Sequence, residues 1–445
     1  MNLAYFQMLL QESIDNATST QDLLSLSQAL EKLLLGQIRT VATYALLPDA
    51  ATNEGLLVWV TSDERLYWST GSAWYSIVTD SRSSVFSWGR NSSGQLGDNS
   101  TTSRSSPVSV VGGFTDWCQV SAGGVHTVAV RSNGIAWSWG SGADGRLGNN
   151  STTVRSSPVS VVGGFSDWCN VSAGGAHTVA VRTGGTAWVW GCNNVGQLGD
   201  NTTTTRSSPV SVVGGFTNWC QASAGNNHSL AVRSNGTIWA WGYNGNGSAS
   251  PLGDGTSISR SSPVSVIGGF TDWCSVSGGS SFSAAVRTNG SAWAWGIGGN
   301  GVLGNGTTTD TLSPVSVIGP ISDWYNVSAG LFHTLAVRRS GSAWAWGFNG
   351  SGLLGNNTTT DRSSPVSVVG GFSDWCNVSA GCVHSLGVRS SGSAWSWGCN
   401  NSGRLGDNTT TNISSPVSVV GISTSWCQVS AGQYHSVALS YDDFV

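Results

Sequence analysis

Histidine, the side chain best suited to bind a metal or move a proton near neutral pH, recurs at one position of the sequence. Six copies end the pattern S-A-G-x-x-H: His126, His177, His228, His333, His384 and His435. Phe282 holds the same position between the third and fourth copies. No Cys or carboxylate is spaced to complete a ligand set, and Phe replaces one His without other change. We therefore predict a packing role for these histidines and no metal site.

Arginine and aspartate form a second recurring pair. The arginines are Arg131, Arg182, Arg233, Arg287, Arg338 and Arg389. The aspartates, each directly before a Trp, are Asp116, Asp167, Asp272, Asp323 and Asp374. One copy of each per repeat is more typical of ion pairs or hydrogen bonds than of catalysis, and we expect them to join neighbouring repeats.

Cysteine is the third recurring type. Six of the nine cysteines follow the first Trp of a repeat: Cys118, Cys169, Cys220, Cys274, Cys376 and Cys427. Equivalent positions in separate repeats should lie too far apart to be bridged, so we predict buried, reduced thiols. Cys192, Cys382 and Cys399 fall in loops, and their pairing is left open.

Other chemical motifs are weak. The Gly-Asp-Asn loops, such as residues 97–99 and 406–408, offer one carboxylate each, which is too few for a dedicated calcium loop. No Ser-His-Asp set, phosphate-binding loop or dinucleotide motif stands in the right context. We predict no enzyme and no cofactor.

All these residues recur because the chain is built from copies of one unit. A Trp-Gly pair returns every 51 residues, with one step of 54, at Trp88, Trp139, Trp190, Trp241, Trp295, Trp346 and Trp397. Periods of this length belong to solenoids, propellers or arrays. Twenty of the 23 tryptophans are repeat residues, and we expect them to form the core.

Each unit contains four short segments that alternate with the two-residue period of strands. In the first complete unit we place strand A at Trp117–Ala122, B at His126–Arg131, C at 135–139 and D at 159–162. Asn133-Gly134 predicts a tight hairpin between B and C. Pro158 opens D, which must then be an outer edge strand. A chain that crosses from an outer D to the next inner A is typical of propeller blades.

The two ends of the chain complete one another. The C-terminus supplies strands A and B at 426–431 and 435–439, and residues 84–88 and 108–111 supply C and D. We therefore predict an all-β fold, a seven-bladed β-propeller closed by N-terminal strands that pair with C-terminal strands. A small helical and β segment precedes it.

The repeat motifs carry a family resemblance. The patterns A-W-x-W-G, G-x-L-G-[DN], S-P-V-x-V and V-S-A-G-x-x-H-[ST]-x-A-V-R resemble the regulator of chromosome condensation repeat over residues 82–445. The resemblance implies a seven-bladed propeller. It leaves function open, since such propellers serve as exchange factors, inhibitors and adhesins alike.

The first 81 residues differ in character. Residues 2–15 and 20–35 are predicted helices, and four leucines of the second (Leu23, Leu26, Leu30 and Leu33) form a seam that requires a partner helix, in this chain or in another copy. We divide the chain into a helical attachment or oligomerisation segment at 1–40, a small β linker module at 41–81 and the propeller at 82–445.

Residues 46–77 predict three strands, at 56–60, 65–68 and 74–77. This stretch resembles the small linker modules of bacteriophage tail fibres and other viral structural proteins. The alternative is a plain three-stranded cap.

Composition limits the partners. Only 9% of residues are charged, the net charge is −4, and no basic cluster exists, which argues against nucleic acid. No apolar run is long enough to span a membrane, and no basic segment precedes the first apolar run, so neither membrane insertion nor a secretory signal is expected.

Positions that vary among the repeats mark a candidate recognition surface. They are the two residues before each histidine position and the residue after each Trp-Gly, and the strand directions place both on one face. The loop 243–255 is three residues longer than its counterparts. The predicted contacts are Tyr243, Asn244, Asn246, Phe332, Phe348 and Tyr434.

The favoured hypothesis is a bacteriophage structural protein, a homo-oligomeric tail-fibre or spike subunit of the virion assembled in the host cytoplasm. Residues 1–81 would bind other virion proteins, and the propeller would meet a host glycan or protein. The alternative is a soluble protein-interaction propeller, such as an exchange factor for a small GTPase or an enzyme inhibitor. A sugar hydrolase or lyase ranks third because paired carboxylates are lacking.

Overall fold

The computed structural model describes residues 39–41, 57–60, 65–69, 74–76, 83–245, 250–319, 322–421, 423 and 425–441. The chain divides into two compact units, Met1–Arg82 and Ser83–Val445. The predicted helices at 2–15 and 20–35 lie outside the described residues, and the three-part division of the chain stays a prediction. No helix among the described residues is long and apolar enough to cross a membrane.

The first unit contains one four-stranded sheet in sequence order. Its strands are Arg39–Val41, Leu57–Val60, Arg65–Ser69 and Trp74–Ser76. The first pair is parallel and the other two are antiparallel. The last three agree with the predicted strands to within one residue at each end. Arg39–Val41 was not predicted.

The second unit is a seven-bladed propeller of four-stranded sheets, each ordered A, B, C, D. Blades 1 to 7 have strand A at Trp117–Ala122, Trp168–Ala173, Trp219–Ala224, Trp273–Gly278, Trp324–Ala329, Trp375–Ala380 and Trp426–Ala431. Strand B is at His126–Arg131, His177–Arg182, His228–Arg233, Phe282–Arg287, His333–Arg338, His384–Arg389 and His435–Tyr441. Strand C is at Ala136–Gly140, Ala187–Gly191, Ile238–Gly242, Ala292–Gly296, Ala343–Gly347, Ala394–Gly398 and Ser83–Gly89. Strand D is at Arg155–Ser160, Arg206–Ser211, Arg260–Ser265, Thr311–Ser316, Arg362–Ser367, Ile413–Ser418 and Arg104–Ser109.

Blade 7 joins the two ends of the propeller. Ser83–Gly89 pairs antiparallel with His435–Tyr441, in register from Ser83 opposite Tyr441 to Gly89 opposite His435. The predicted all-β fold and its closure are confirmed. Short 3-10 turns occur in two C-to-D loops, at Ala143–Gly145 and Gly299–Gly301.

The core lies between blades. The seven Trp-Gly tryptophans are fully buried, and the seven that open strand A are at most 4% exposed. In blade 1 the two rings meet at a centroid distance of 6.0 Å, between Trp117 and Trp139. The apolar cluster around Trp219 and Trp241 of blade 3 also contains Val179 and Val189 of blade 2. Each sheet thus buries one face against its neighbour, which a single blade could not do.

Six further tryptophans were expected in the core and are instead half-buried: Trp137, Trp188, Trp239, Trp293, Trp344 and Trp395. They stand two residues before the Trp-Gly tryptophan. In blade 1, Trp137 packs against Phe114 of the D-to-A connection at a centroid distance of 4.7 Å.

Strand D begins earlier than predicted. In blade 1 it starts at Arg155, opposite Gly140, and its register shifts before Val159. Pro158 therefore lies inside the strand, within the irregular segment of its outer edge. A missing N–H costs nothing there because no strand lies beyond.

The Arg–Asp pairs lie within a blade, so the prediction that they join neighbouring repeats is wrong. In blade 1, Arg131 Nε donates to Asp116 Oδ1 at 2.7 Å. Trp117 pairs with Arg131 in the ladder, which places the residue before strand A beside the end of strand B. The guanidinium carbon of Arg131 also lies 4.2 Å from the centre of the Phe114 ring, so this pair secures the D-to-A connection that leads into strand A of blade 1.

The prediction of buried strand A thiols is also wrong. Five of these cysteines are exposed and Cys427 is half-buried, and all nine cysteines of the chain are free. The cause is the register shift between Trp117 and Gln119, and its equivalent in each blade, which removes Cys118 from the apolar face. The protein still surrounds this thiol on several sides, and that desolvation raises its pKa to about 11. It is therefore protonated at neutral pH.

Candidate recognition face

The strand order gives the propeller two distinct faces. The A-to-B turns and the C-to-D loops share one, here called the loop face. The B-to-C hairpins and the D-to-A connections share the other, here called the hairpin face. Ser83 and Tyr441, where the described chain enters and leaves the propeller, are paired on the hairpin face.

The variable positions meet in pairs on the loop face. In every blade the residue after Trp-Gly donates its N–H to the carbonyl of the residue before the histidine position, as from Phe348 to Phe332 at 2.9 Å. The other pairs, donor first, are Arg90 and Tyr434, Ser141 and Val125, Cys192 and Ala176, Tyr243 and Asn227, Ile297 and Ser281, and Cys399 and Val383. The residue after Trp-Gly and the residue before the histidine position thus form one surface element per blade, and in blade 7 they come from opposite ends of the chain. Extending the B–C ladder by one residue past His126 and Gly140 would have predicted it.

Two of the predicted contacts, Phe332 and Phe348, form an aromatic pair in blade 5. Their ring centroids lie 6.3 Å apart in an edge-to-face arrangement. Phe332 is 42% exposed, and Phe348 is half-buried beside it. Tyr243, in blade 3, is also half-buried.

Tyr434, in blade 7, lies near two cations. The guanidinium carbons of Arg90 and Arg404 are 5.1 and 5.9 Å from the centre of its ring. Neither arginine was among the predicted contacts, although Arg90 stands at one of the variable positions.

Asn244 is a structural residue and not a contact. Its side chain is fully buried. Nδ2 donates to Asp254 Oδ1 and to the Thr256 carbonyl, both at 2.9 Å, and Oδ1 accepts from Leu252 N at 3.0 Å. Similar bonds are made by Asn91, Asn193, Asn349 and Asn400. The recurrence of Asn in five of seven units was the signal for this role, and Asn246 lies outside the described residues.

The histidines connect blades beneath the loop face. His126 Nε2 lies 3.0 Å from Thr178 Oγ1 of the next blade. Thr178 donates its proton to the Arg146 carbonyl, which also accepts from Trp190 Nε1, so Nε2 of the imidazole is the donor. The other five histidines make the same contact to a Ser or Thr.

All six histidines are fully buried, as a packing role requires. Burial lowers the pKa of His177 to about 4 and of His228, His333 and His435 to about 3. The imidazoles are therefore neutral near pH 7. Among the described residues, no group of His, Cys, Asp and Glu could hold a metal ion.

The inner edges of the blades are closed by side chains. In every blade the N–H of the last strand A residue donates to a Ser of the preceding blade, as from Ala122 to Ser430 Oγ at 2.9 Å. The A-to-B turns surround the axis, and Gln433 donates to Asn226 Oδ1 across their opening at 3.0 Å. Of the two variable residues before each histidine position, the first lines this opening in six blades, and the second contacts the C-to-D loop.

Comparison with solved structures supports this architecture. Prp20p from Saccharomyces cerevisiae, described with its binding to Gsp1p and histones, superposes with a TM-score of 0.73 at 20% identity. The match covers 82% of this chain and 93% of that one. Human WBSCR16 gives a TM-score of 0.72 at 19% identity, over 81% of this chain and 100% of the other. These likenesses show the fold.

Sequence comparison extends the likeness. The ultraviolet-B receptor UVR8 of Arabidopsis thaliana is 31% identical over 329 residues, which cover 72% of this chain and 74% of the receptor. The human E3 ubiquitin-protein ligase HERC2 is 29% identical over 327 residues, 70% of this chain but 7% of that protein. The model of the RCC1-like domain matches residues 68–324 and 169–445. The chain therefore belongs to the RCC1-like domain family.

Proposed function

We propose that this chain is a protein-interaction propeller that recognises a partner protein with its loop face. One observation carries the proposal. In every blade the variable residue after Trp-Gly is hydrogen-bonded to the variable residue before the histidine position, whereas the surrounding framework is repeated from blade to blade. One of these pairs presents Phe332 and Phe348, and another presents Arg90 and Tyr434. Aromatic residues and arginine are the types enriched in protein–protein interfaces and their hot spots.

The relatives support a protein partner. Prp20p is described with the proteins Gsp1p and histones as its ligands. The ligase activity in the name of HERC2 is not carried over, because the match covers 7% of that protein.

The comparisons favour this function over the virion hypothesis. The relatives reported above are proteins of a plant, of yeast and of human. Attachment to a virus particle, with residues 1–81 bound to other virion proteins and a host glycan as ligand, stays a separate prediction. Immunogold labelling of purified particles would test it.

Site-specific cross-linking tests the proposed function. A photoreactive phenylalanine analogue replaces Phe332 on the loop face, or the exposed Asn235 at a B-to-C hairpin on the other face. We expect one protein from the native cell to be cross-linked at position 332 and not at 235. Cross-linking at position 235 alone would contradict the proposal.

The cross-linked partner, once purified, permits a quantitative test. Phe348→Ser removes the ring against which Phe332 packs, and we expect the Kd for the partner to rise about tenfold or more, as for a hot-spot truncation. Thermal unfolding of the variant should match that of the wild type. The matched control is Asn235→Ser, which should leave the affinity unchanged.

A further inference from the structure

Arg404 is a buried cation without a counter-ion. It lies in the C-to-D loop of blade 6 and is 5% exposed. Its Nε has no hydrogen-bond partner, and Nη1 lies 3.5 Å from the Gln433 carbonyl oxygen. Among the described residues no carboxylate lies within ion-pair distance of it; the carboxylate of Asp407, on the same loop, accepts from Asn400 and Thr409. A buried charge in this state is costly, so the site is incomplete as it stands.

Blade 1 shows what completes such a site. Arg146 occupies the same repeat position and is 8% exposed. Its Nη2 lies 2.8 Å from Asp144 Oδ2, and its Nε donates to the Ala143 carbonyl at 2.8 Å. The loops read G-A-D-G-R-L-G at 142–148 and N-N-S-G-R-L-G at 400–406, so Ser402 stands where blade 1 has Asp144. Blade 6 therefore has the arginine but lacks the carboxylate that pairs with it in blade 1.

The surroundings of Arg404 add a second cation and an aromatic wall. The Tyr434 ring lies 5.9 Å from the Arg404 guanidinium carbon and 5.1 Å from that of Arg90. Arg90 is exposed, and its Nε donates to Ser92 Oγ at 2.9 Å. Two guanidinium groups near one aromatic ring suit a planar carboxylate, to which arginine donates paired hydrogen bonds.

We propose that Arg404, together with Arg90 and Tyr434, forms a loop-face site for a carboxylate of the partner protein. The ligand is the side chain of an Asp or Glu, which takes the place that Asp144 holds in blade 1. The assignment to a protein carboxylate rests on the proposed function, whereas the affinity for a carboxylate rests on the site alone.

Acetate tests the site directly. The Nε–H signals of ¹⁵N-arginine are followed while sodium acetate replaces sodium chloride at constant ionic strength. We expect the Arg404 signal to shift and saturate while the Arg146 signal stays in place. Arg404→Gln identifies the signal, and this substitution is compatible with the fold because Gln95 and Gln197 hold the same repeat position.

Asp144→Ser supplies the matched control, since it removes the internal carboxylate from Arg146. The Arg146 signal of this variant should gain a response to acetate, weaker than that of Arg404, because Cys192 and Ala176 stand where the Arg404 site has Arg90 and Tyr434. The proposed carboxylate site would be wrong if the Arg404 signal did not move when acetate is added. It would also be wrong if the Arg404 and Arg146 signals of the wild type moved alike.

The affinity for the partner found by cross-linking tests whether the ligand of this site is a carboxylate of a protein. Arg404→Gln should weaken its binding about tenfold or more, because the partner's carboxylate would lose its charged donor. A normal acetate response together with unchanged partner affinity would overturn the protein ligand while leaving the proposed function intact. If no partner is cross-linked, the proposed function fails and the acetate titration still decides the site.

Discussion

His126 and Thr178 join blades 1 and 2, with Nε2 of the imidazole 3.0 Å from the Thr hydroxyl oxygen. The same contact is made at six of the seven blade boundaries, and Phe282 stands in its place at the remaining one. The propeller is thus held by buried imidazoles that must stay neutral.

Stability should therefore depend on pH through these histidines. Burial holds the pKa of His177 at about 4 and of His228 at about 3, whereas an unfolded histidine has a pKa of about 6.5. Because the unfolded chain binds more protons below about pH 6.5, stability is fully present above that pH and is lost as the pH falls towards the folded values. Each histidine contributes about 1.4 kcal/mol per pH unit within this window. Urea unfolding between pH 8 and pH 4 measures the slope.

His333→Phe is the matched control, since Phe282 shows that the position accepts this ring. The variant should show a shallower loss of stability in acid. An identical pH dependence in the two proteins would show that the imidazoles do not cause it.

Closure of the ring should be needed for a soluble fold. Deletion of residues 1–111 removes strands C and D of blade 7, so His435–Tyr441 loses its strand C partner and presents a free edge on that side. We expect aggregation, whereas deletion of residues 1–78 should spare the propeller. Size-exclusion chromatography and calorimetry compare the two, and equally soluble, cooperative products would disprove the closure.

The two tryptophans of strand C should differ in their contribution to stability. Trp190 is fully buried and donates to the Arg146 carbonyl at 3.0 Å, whereas Trp188 is half-buried. Trp190→Ala should lower the free energy of unfolding by about 3–5 kcal/mol, and Trp188→Ala by less. Denaturant unfolding measures both. A loss below about 1 kcal/mol for Trp190→Ala would contradict its place in the core.

Substitutions at Asn244 and Tyr243 should differ in their effect on stability, because Asn244 has a structural role and Tyr243 is a predicted contact. Asn244→Ala leaves Leu252 N and Asp254 without their buried partner and should cost about 1–3 kcal/mol. Tyr243→Ala changes a half-buried side chain and should stay within about 0.5 kcal/mol. Thermal unfolding decides between them, and equal losses would reverse our assignment of Asn244.

The sequence alone determined the architecture. The spacing of the Trp-Gly pairs set the number of blades, and the strands left over at the two ends set the closure, because a repeat fold is a sum of local, nearly identical units. Periodicity also separated repeated framework positions from the variable pairs, such as Phe332 and Phe348.

Where the hydrogen-bond ladder between two strands is irregular, only the tertiary structure decided which side chains are buried and which are exposed. A register shift at Trp117 exposed Cys118 and brought Asp116 to Arg131 of the same blade, and neither result follows from an alternating pattern. The same holds for charge. The sequence shows that Ser402 stands where Arg146 has Asp144, but only the structure showed that both arginines are buried and that Arg90 and Tyr434 lie near the same site as Arg404.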